Sequence, residues 1–325
     1  MKMKRIAVAG AAAGLAAAAG VTAADVADAL FMKVISREGV RKYKSRGDAD
    51  MDKIRAPYGD APQKGIAFLR STPRESVTIK TSTDGLTLHG YYYHVDEPQR
   101  IVLMAHGYAG SIESFCGIAR WLSEQKCDML MIEQRANGQS EGAWATFGAR
   151  EQFDVLDWLS WIRDHNDSGL PVYLYGTSMG GATVLMASRY LSSGDVAGII
   201  ADAAYTSMEE VVFASLKRRI RVFPVRTARW IMAHKCSRKA GFDIAAADAE
   251  KALRHCLTPV LFIHGTADER VPVEHSRRNF QACACDDKEL LIVENANHVC
   301  SWFEDPDRYT CALADFFKRH DKKSG

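Results

Sequence analysis

The stretch PVYLYGTSMGGATVLMAS, residues 171–188, decides the fold. An apolar run typical of a buried strand stops at Gly176, and a small-residue run typical of a helix starts after Gly180. Ser178 lies between these glycines at the spacing G-x-S-x-G. Because glycine has no Cβ, the turn can be sharp enough to present one hydroxyl. The pattern predicts a nucleophile elbow, with a purely structural turn as the alternative.

Strand and helix patterns alternate on both sides of this turn. SVTIKTSTDGLTLHGYYYHV predicts a hairpin about Asp84-Gly85, and the runs RIVLMAHG and CDMLMIEQR predict buried strands. Further strand patterns follow the turn in VAGIIAD, PVLFIHG and ELLIVEN, with helical patterns around them. This order predicts an α/β fold with a doubly wound, mostly parallel sheet of about eight strands and helices on both faces.

Three residues at predicted strand ends could form a catalytic triad. The Ser178 hydroxyl is a weak nucleophile and needs a base, and His298, after the last strand, is the best placed of ten histidines. Asp268, after the seventh strand, would orient that histidine. Glu269 and Asp202 are weaker alternatives for the acid. On its own, His298 could equally be a hydrogen-bonded surface histidine, but ligands of such sheets collect at these strand ends.

Attack on a carbonyl also requires an oxyanion hole. Two backbone N–H groups should converge on the oxygen where negative charge develops. Met179, directly after Ser178, would supply one N–H group. Tyr108 in MAHGYAG would supply the other, because Gly107 lets the backbone turn there. His106 is expected to position this loop and to take no proton.

These motifs resemble the α/β-hydrolase superfamily, specifically bacterial serine hydrolases of the serine-aminopeptidase-like (Hydrolase_4) type with an N-terminal hydrophobic segment. The resemblance covers roughly residues 76–318. It is carried by HGYAGS, EQRANGQSEG, GTSMGG, ADAAYTS, PVLFIHGTADERVP and NANHVCSW. It implies the α/β-hydrolase fold, in which the chain order Ser178, Asp268, His298 is the expected order of a triad.

The chain departs from the pattern of that family at two positions. Glu133 stands where the family usually has aspartate, although Arg135, Gly138 and Ser140 match. These positions shape a loop, so the change affects no predicted catalytic residue. Asn297, before the predicted base, stands where glycine is more frequent, and it is expected to alter the rim of the pocket.

The N-terminus has the charge pattern of a secretory signal or membrane anchor. MKMKR is followed by nineteen uncharged residues, IAVAGAAAGLAAAAGVTAA. Residues 1–24 therefore predict a membrane-associated or exported protein, with a cytoplasmic Ala-rich helix as the alternative. Residues 25–74 show little apolar periodicity and predict a connector with one short helix near DVADALFMKVI. The hydrolase domain is expected over residues 75–320.

An insert at residues 207–256 separates the sixth and seventh predicted strands. The resemblance implies that this insert is a cap over Ser178 that selects the substrate. Between Val211 and Gly241 it holds nine Lys or Arg residues and no acidic residue. Such a surface favours an anionic membrane or an acidic substrate, and the alternative is a solvated helix face.

Composition limits the other function classes. The formal net charge of +2 is too small for its magnitude to indicate a nucleic-acid partner. Cys283 and Cys285 lack zinc-finger spacing, and no second pair completes four ligands, so no metal is predicted and the mechanism needs no cofactor. The eight cysteines are predicted to be structural thiols, since a chain of this size needs no disulfide framework.

The combined pattern predicts a serine hydrolase (EC 3.1.1) that cleaves carboxylic esters of a small-molecule acyl substrate through an acyl-enzyme. A serine aminopeptidase, an amidase or an acyltransferase could use the same triad. An acidic residue in the cap that holds a substrate amine would favour the aminopeptidase. A non-catalytic, membrane-associated binding module is the alternative from another class. The sequence leaves the oligomeric state open.

Overall fold

The computed structural model describes residues 23–219 and 225–321. The predicted signal or anchor over residues 1–24 lies outside these ranges except for its last two residues. Eight strands form one sheet in the order β1-β2-β4-β3-β5-β6-β7-β8. The strands are β1 (Glu75–Lys80), β2 (Thr87–Tyr93), β3 (Arg100–Ala105), β4 (Cys127–Glu133), β5 (Val172–Thr177), β6 (Gly198–Asp202), β7 (Val260–Gly265) and β8 (Lys288–Val293).

The sheet is antiparallel at one edge and parallel elsewhere. β1 pairs with β2, and β2 pairs with β4, in antiparallel register. The other neighbouring strands are parallel. Gly85 in the β1–β2 turn has φ +69°, a backbone conformation that a residue with a Cβ rarely adopts. The predicted hairpin and the predicted mostly parallel sheet are both confirmed.

Helices cover both faces of the sheet. The α-helices are α1 (Ala23–Ile35), α2 (Arg37–Arg55), α3 (Ala61–Ser71), α4 (Ala119–Glu124), α5 (Glu151–His165), α6 (Met179–Ala187), α7 (Met208–Arg219), α8 (Val225–Lys235), α9 (Ala249–Leu253), α10 (Glu274–Ala282), α11 (Ser301–Glu304) and α12 (Pro306–His320). Short 3₁₀ turns connect them, among them Ile112–Phe115.

Each central strand is buried on both sides, which explains its continuous apolar sequence. Leu103 of β3 belongs to the core cluster that also contains Trp158 of α5 and Leu185 of α6. The next residue, Met104, belongs to a second cluster with Phe316 of α12. Side chains of a strand alternate between faces, so one apolar run supplies two cores.

The short helix predicted near DVADALFMKVI is confirmed, but the prediction that the rest of residues 25–74 is a connector is wrong. α1, α2 and α3 occupy most of this range. Phe31 and Ile35 of α1 are fully buried against the main core. Arg37, at the start of α2, donates hydrogen bonds to the carbonyls of Gly138 and Ser140 at 2.7 and 2.5 Å. Helices with few core-facing positions show little apolar periodicity, and the contacts that stabilise these helices are distant in sequence.

The insert between β6 and β7 is helical where the structure describes it. α7 and α8 lie on either side of residues 220–224, which are outside the described ranges. A π-helical turn, Cys236–Ala240, and α9 complete the insert. α8 contacts α1, so the insert and the N-terminal helices form one layer beside the strand ends.

Candidate active site

The turn after β5 holds Ser178 in a strained backbone conformation. Its φ of 54° lies in the left-handed region that residues with a Cβ rarely occupy. A Cβ on Gly176 would come within 2.3 Å of the Gly180 carbonyl oxygen. A Cβ on Gly180 would come within 1.9 Å of the Ala105 carbonyl oxygen at the end of β3. Neither glycine tolerates a side chain, so the G-x-S-x-G spacing is a direct requirement of this turn.

The structure brings Ser178, His298 and Asp268 together in the predicted order. His298 Nε2 lies 3.0 Å from Ser178 Oγ, and His298 Nδ1 lies 2.6 Å from Asp268 Oδ2. The backbone N–H groups of Arg270 and Val271 donate to Asp268 Oδ1 at 2.9 and 2.8 Å. These bonds fix the carboxylate, which in turn orients the imidazole toward the serine oxygen.

Two histidines keep the buried Asp268 ionised. Burial by itself raises the pKa of this carboxyl, but the neighbouring His298 and His264 outweigh burial, so the pKa is well below its usual range. An ionised Asp268 stabilises the positive charge that His298 would acquire after taking the serine proton.

His264, on β7, supports Asp268 and was not predicted from the sequence. Its Nε2 lies 2.7 Å from the Val271 carbonyl oxygen and 3.2 Å from Asp268 Oδ2. Its Nδ1 lies 2.6 Å from Ser276 Oγ. The carbonyl can only accept, so Nε2 carries the proton, and Nδ1 accepts from the serine hydroxyl. Its position at the end of a predicted strand, four residues before Asp268, was the available signal.

Neither alternative acid occupies the triad position. Asp202, at the end of β6, accepts a hydrogen bond from the Tyr309 hydroxyl at 2.9 Å. The Tyr309 hydroxyl lies 2.6 Å from the Tyr175 hydroxyl, so a buried chain of polar groups runs behind the site. Burial raises the pKa of Asp202 to about 6, against the opposing hydrogen bond from Tyr309. Glu269 lines the cavity in front of Ser178.

The loop after β3 lies directly against the serine. A Cβ on Gly107 would come within 3.1 Å of Ser178 Cβ, so a larger residue would push the loop away. Tyr108 follows Gly107, and Met179 is the first residue of α6. Both residues line the cavity that contains Ser178. The oxyanion hole stays a prediction, and its donors would be the N–H groups of Met179 and Tyr108.

His106 connects this loop to the loop after β4. The Gln134 N–H group donates to His106 Nε2 at 3.2 Å, so the proton is on Nδ1, which donates to the Gly107 carbonyl at 2.7 Å. Burial lowers the pKa of His106 to about 4, so the ring is neutral near neutral pH. His106 therefore positions the loop, and its two ring nitrogens are occupied.

Glu133 and Asn297, the two departures from the family pattern, have local roles. The Glu133 carboxylate accepts a hydrogen bond from the Gln139 N–H group at 2.7 Å. It fills the space beside Gly138, where a Cβ would come within 2.2 Å of Glu133 Oε1. Asn297 Oδ1 accepts from the His298 N–H group at 2.7 Å. The side chain of Asn297 thus holds the backbone of the candidate base.

A cavity of about 1050 Å³ opens in front of Ser178 and His298. Most of its outer wall comes from the N-terminal helices, and the described part of the predicted cap supplies Val211 and Val212. The N-terminal residues that line it are Leu30, Lys33, Val34, Tyr43, Lys44, Asp50, Met51, Asp52, Arg55 and Ile66. This second covering element was not predicted, because residues 25–74 show little apolar periodicity.

The described part of the chain contains no candidate metal site and no disulfide. Over residues 23–219 and 225–321, no three His, Cys, Asp or Glu side chains form a group that could hold a metal ion. All eight cysteines are free thiols, and six of them are buried. Cys285 is half-buried and Cys311 is exposed. In the same ranges, no helix combines the length and the apolar character needed to cross a bilayer.

Comparisons with known proteins agree with this architecture. Residues 100–229 match the family model described as alpha/beta hydrolase fold. An esterase from Pyrococcus furiosus superposes with a TM-score of 0.63 at 20% identity, over 78% of this chain and 93% of the esterase. The architecture is therefore the α/β-hydrolase fold.

Several relatives match this chain over most of their length at about a quarter sequence identity. The uncharacterized protein YfhR of Escherichia coli K12 is 25% identical over 74% of this chain and 80% of its own. Human monoglyceride lipase is also 25% identical, over 71% of this chain and 86% of its own. The uncharacterized membrane protein YNL320W of Saccharomyces cerevisiae is 26% identical, over 76% and 80%. The chain has the α/β-hydrolase fold, and its membership of the serine-aminopeptidase-like type remains a prediction.

Proposed function

We propose that this protein is a serine hydrolase that cleaves carboxylic esters through an acyl-enzyme intermediate. The observation that carries the proposal is the continuous contact from Ser178 Oγ to His298 Nε2 at 3.0 Å and from His298 Nδ1 to Asp268 Oδ2 at 2.6 Å. These are hydrogen-bond distances, and they supply a nucleophile, a base and an orienting carboxylate in contact with one cavity.

The residues would act in sequence during the reaction. His298 removes the proton from Ser178 as its oxygen attacks the ester carbonyl carbon. The N–H groups of Met179 and Tyr108 stabilise the oxyanion of the tetrahedral intermediate. His298 then protonates the leaving alcohol, and the carbon–oxygen bond breaks. His298 then removes a proton from water, whose oxygen attacks the acyl carbon. The bond from that carbon to Ser178 Oγ breaks, His298 returns the proton to Ser178, and the carboxylic acid is released.

Ester cleavage is favoured over amide cleavage for two reasons. An alcohol is a better leaving group than an amine and requires less stabilisation from the site. Several proteins that resemble this chain are named as esterases or as a lipase. An acyltransferase would form the same acyl-enzyme but would exclude water from it. Transfer of the acyl group to an added alcohol would indicate this activity.

The aminopeptidase alternative gains one observation from the cavity. The cap has no acidic residue between Val211 and Gly241. The acidic residues Asp50, Asp52, Glu113 and Glu269 line the cavity from other elements. A carboxylate could hold a substrate amine. Amino-acid 4-nitroanilides compared with 4-nitrophenyl esters distinguish these activities, and faster cleavage of the anilides would favour the aminopeptidase.

Covalent labelling tests the proposed nucleophile. A fluorophosphonate should label the wild-type protein at Ser178, as located by peptide mass spectrometry. Ser178→Ala should abolish labelling and reduce ester hydrolysis by about 10⁴-fold or more, because the hydroxyl is the attacking group. Ser192→Ala, at an exposed serine outside the cavity, is the matched control. Labelling elsewhere, or no labelling of the wild type, would contradict the proposal and favour the non-catalytic module.

We also propose that residues 1–22 and the exposed Trp230 of α8 attach the protein to an anionic membrane surface. Trp230 on α8 is 69% exposed and stacks on His234, with ring centroids 5.7 Å apart. Exposed tryptophan beside Lys and Arg is typical of interfacial helices. Sedimentation with phosphatidylglycerol vesicles should decrease in Trp230→Ala and in a chain that lacks residues 1–22. Equal sedimentation of all three proteins would contradict this attachment.

A further inference from the structure

The cavity in front of Ser178 has two walls of different chemistry. The first, called here the apolar wall, is formed by Leu30, Val34, Tyr108, Phe147, Tyr205 and Val212. The Tyr108 and Phe147 rings stack with centroids 5.0 Å apart, and the Tyr108 hydroxyl donates to the Val34 carbonyl at 2.8 Å. The Tyr205 hydroxyl donates to the Phe147 carbonyl at 2.9 Å. These hydroxyls are occupied by carbonyls, so the rings present carbon to the cavity.

The second wall is charged and lies on other elements. This polar wall is formed by Lys44, Asp50, Asp52, Arg55, Glu113, Glu269 and Arg270. Arg270 Nη2 lies 3.9 Å from Asp50 Oδ2, which links the loop after β7 to α2. Arg70 Nη2 lies 2.7 Å from Glu113 Oε1. Together with Lys33, the cavity lining contains four cations and four carboxylates, so it offers donors and acceptors with little net charge.

The direction of proton transfer assigns each wall to one half of the substrate. His298 must give the proton it takes from Ser178 to the leaving oxygen, so the leaving group must lie on the His298 side. Glu269 and Arg270 directly follow Asp268, the hydrogen-bond partner of His298. The apolar wall instead contains Tyr108, whose N–H group would hold the carbonyl oxygen of the acyl group. The acyl chain therefore belongs to the apolar wall and the alcohol to the polar wall.

We propose that the substrate is an amphipathic ester, with an unbranched acyl chain of about eight carbons or more on the apolar wall and a neutral, hydroxyl-rich alcohol on the polar wall. This inference rests on the proposed serine esterase mechanism. A cavity of about 1050 Å³ is at the upper end of the usual range for ligand sites, so it has room for both halves. The balanced charges favour hydroxyl groups, which donate and accept, over an alcohol with a net charge.

Matched esters measure the two walls separately. Glycerol monooctanoate, methyl octanoate and glycerol monobutyrate differ in one half at a time, and octanoylcholine carries a cationic alcohol. The ratio of kcat/KM for glycerol monooctanoate to that for glycerol monobutyrate should be about 10 to 100, because each buried methylene contributes a few-fold. The ratio of glycerol monooctanoate to methyl octanoate should be about 10, since the polar wall gains hydrogen bonds to the glycerol hydroxyls.

Variants connect each ratio to one wall. Val34→Phe narrows the apolar wall and keeps the backbone carbonyl that Tyr108 binds, so it should lower the octanoate-to-butyrate ratio about tenfold. Val212→Phe is the second variant, in case the first does not fold, and Leu257→Phe at an exposed position is the control. Arg270→Met removes donors from the polar wall and should lower the glycerol-to-methyl ratio about fivefold. Arg277→Met, at an exposed pair with Glu274, is its control.

The outcomes separate this inference from the proposed function. A small fluorophosphonate titrates Ser178 without needing either wall, so it reports active sites independently. If Ser178 is labelled but both ratios are near one, the amphipathic substrate is wrong and the serine hydrolase stands. If octanoylcholine is cleaved faster than glycerol monooctanoate, the proposal of a neutral alcohol is wrong. If methyl octanoate is cleaved faster, the proposal that the polar wall binds the alcohol is wrong. Absence of labelling would remove the proposed function itself.

Discussion

The strand-end loops and the N-terminal helices line the same cavity, but they hold their side chains differently. Asp268 and His298 are 5% and 6% exposed, and each makes several hydrogen bonds within the protein. On α2, by contrast, the cavity-lining Asp50 is 61% exposed at its side chain, and its Oδ2 lies 3.9 Å from Arg270 Nη2. Exposed ion pairs contribute little to stability, whereas buried bonded groups resist displacement.

This difference suggests that the strand-end loops serve catalysis and the N-terminal helices serve substrate selection. The strand-end loops can hold reacting atoms within the small tolerances that catalysis needs. The exposed side chains of the helices that line the cavity can change without disturbing the sheet, so they can set substrate preference. Substitutions in the loops should therefore reduce kcat for every substrate, and substitutions on the helices should change the ratio between substrates.

The largest effect is expected for Asp268→Asn. An asparagine amide would donate to His298 Nδ1, leave the proton on Nε2 and prevent that nitrogen from accepting the serine proton. We expect kcat to fall by about 10³- to 10⁴-fold with all esters while the fold is retained. Steady-state kinetics and circular dichroism measure the two properties, and Asp286→Asn at an exposed position is the control. If the loss of kcat differs between esters, the proposal that the strand-end loops act equally on every substrate is wrong.

Asp202→Asn should change how stability depends on pH. Burial raises the pKa of Asp202 from 3.8 to about 6, so the folded protein holds a proton there that the unfolded chain releases. The wild type therefore loses stability as the pH rises from about 4 to 6, and the asparagine variant lacks this loss. Relative to the wild type, the variant should gain about 2–3 kcal/mol in free energy of unfolding between pH 4 and 7. Urea denaturation of both proteins at pH 4 and pH 7 measures this difference. If the free energy of unfolding changes equally with pH in both proteins, the pKa of Asp202 is not raised.

A smaller effect is expected for His264→Phe. This change removes the side chain that bridges Asp268 Oδ2, the Val271 carbonyl and Ser276. We expect kcat to fall about tenfold with KM unchanged, since His264 would act only by positioning Asp268. His264→Gln keeps one N–H donor and should recover part of the loss. A larger effect on KM than on kcat would assign His264 to substrate binding instead.

The smallest effect is expected for Tyr108→Phe, at the boundary of the two regions. The variant keeps the proposed oxyanion donor but loses the 2.8 Å hydrogen bond to the Val34 carbonyl on α1. One such bond contributes about 1 kcal/mol, so kcat/KM should change a few-fold, more for long acyl chains than for short ones. Tyr190→Phe, at an exposed tyrosine, is the control. Equal losses with every chain length would show that α1 supports the catalytic loop rather than the acyl chain.

The predicted sheet followed from local sequence, whereas the supporting contacts did not. Apolar runs and the Asp84-Gly85 turn are signals within a few residues, and the sheet confirms them. The contact between Asp202 and Tyr309 joins positions 107 residues apart, and no pattern near either residue indicates it. α1 was predicted as one short helix, and its role in the cavity wall was not anticipated, because its contacts lie far along the chain.

Local patterns in the chain were sufficient for the α/β-hydrolase fold and for the selection of Ser178, Asp268 and His298 as candidates. Turn geometry imposes glycine at fixed spacing, and parallel strands place their carboxyl ends at one edge of the sheet. The walls of the cavity, the bridging role of His264 and the raised pKa of Asp202 depended on packing between distant segments. Burial and close approach set these properties, and neither exists until the chain has folded.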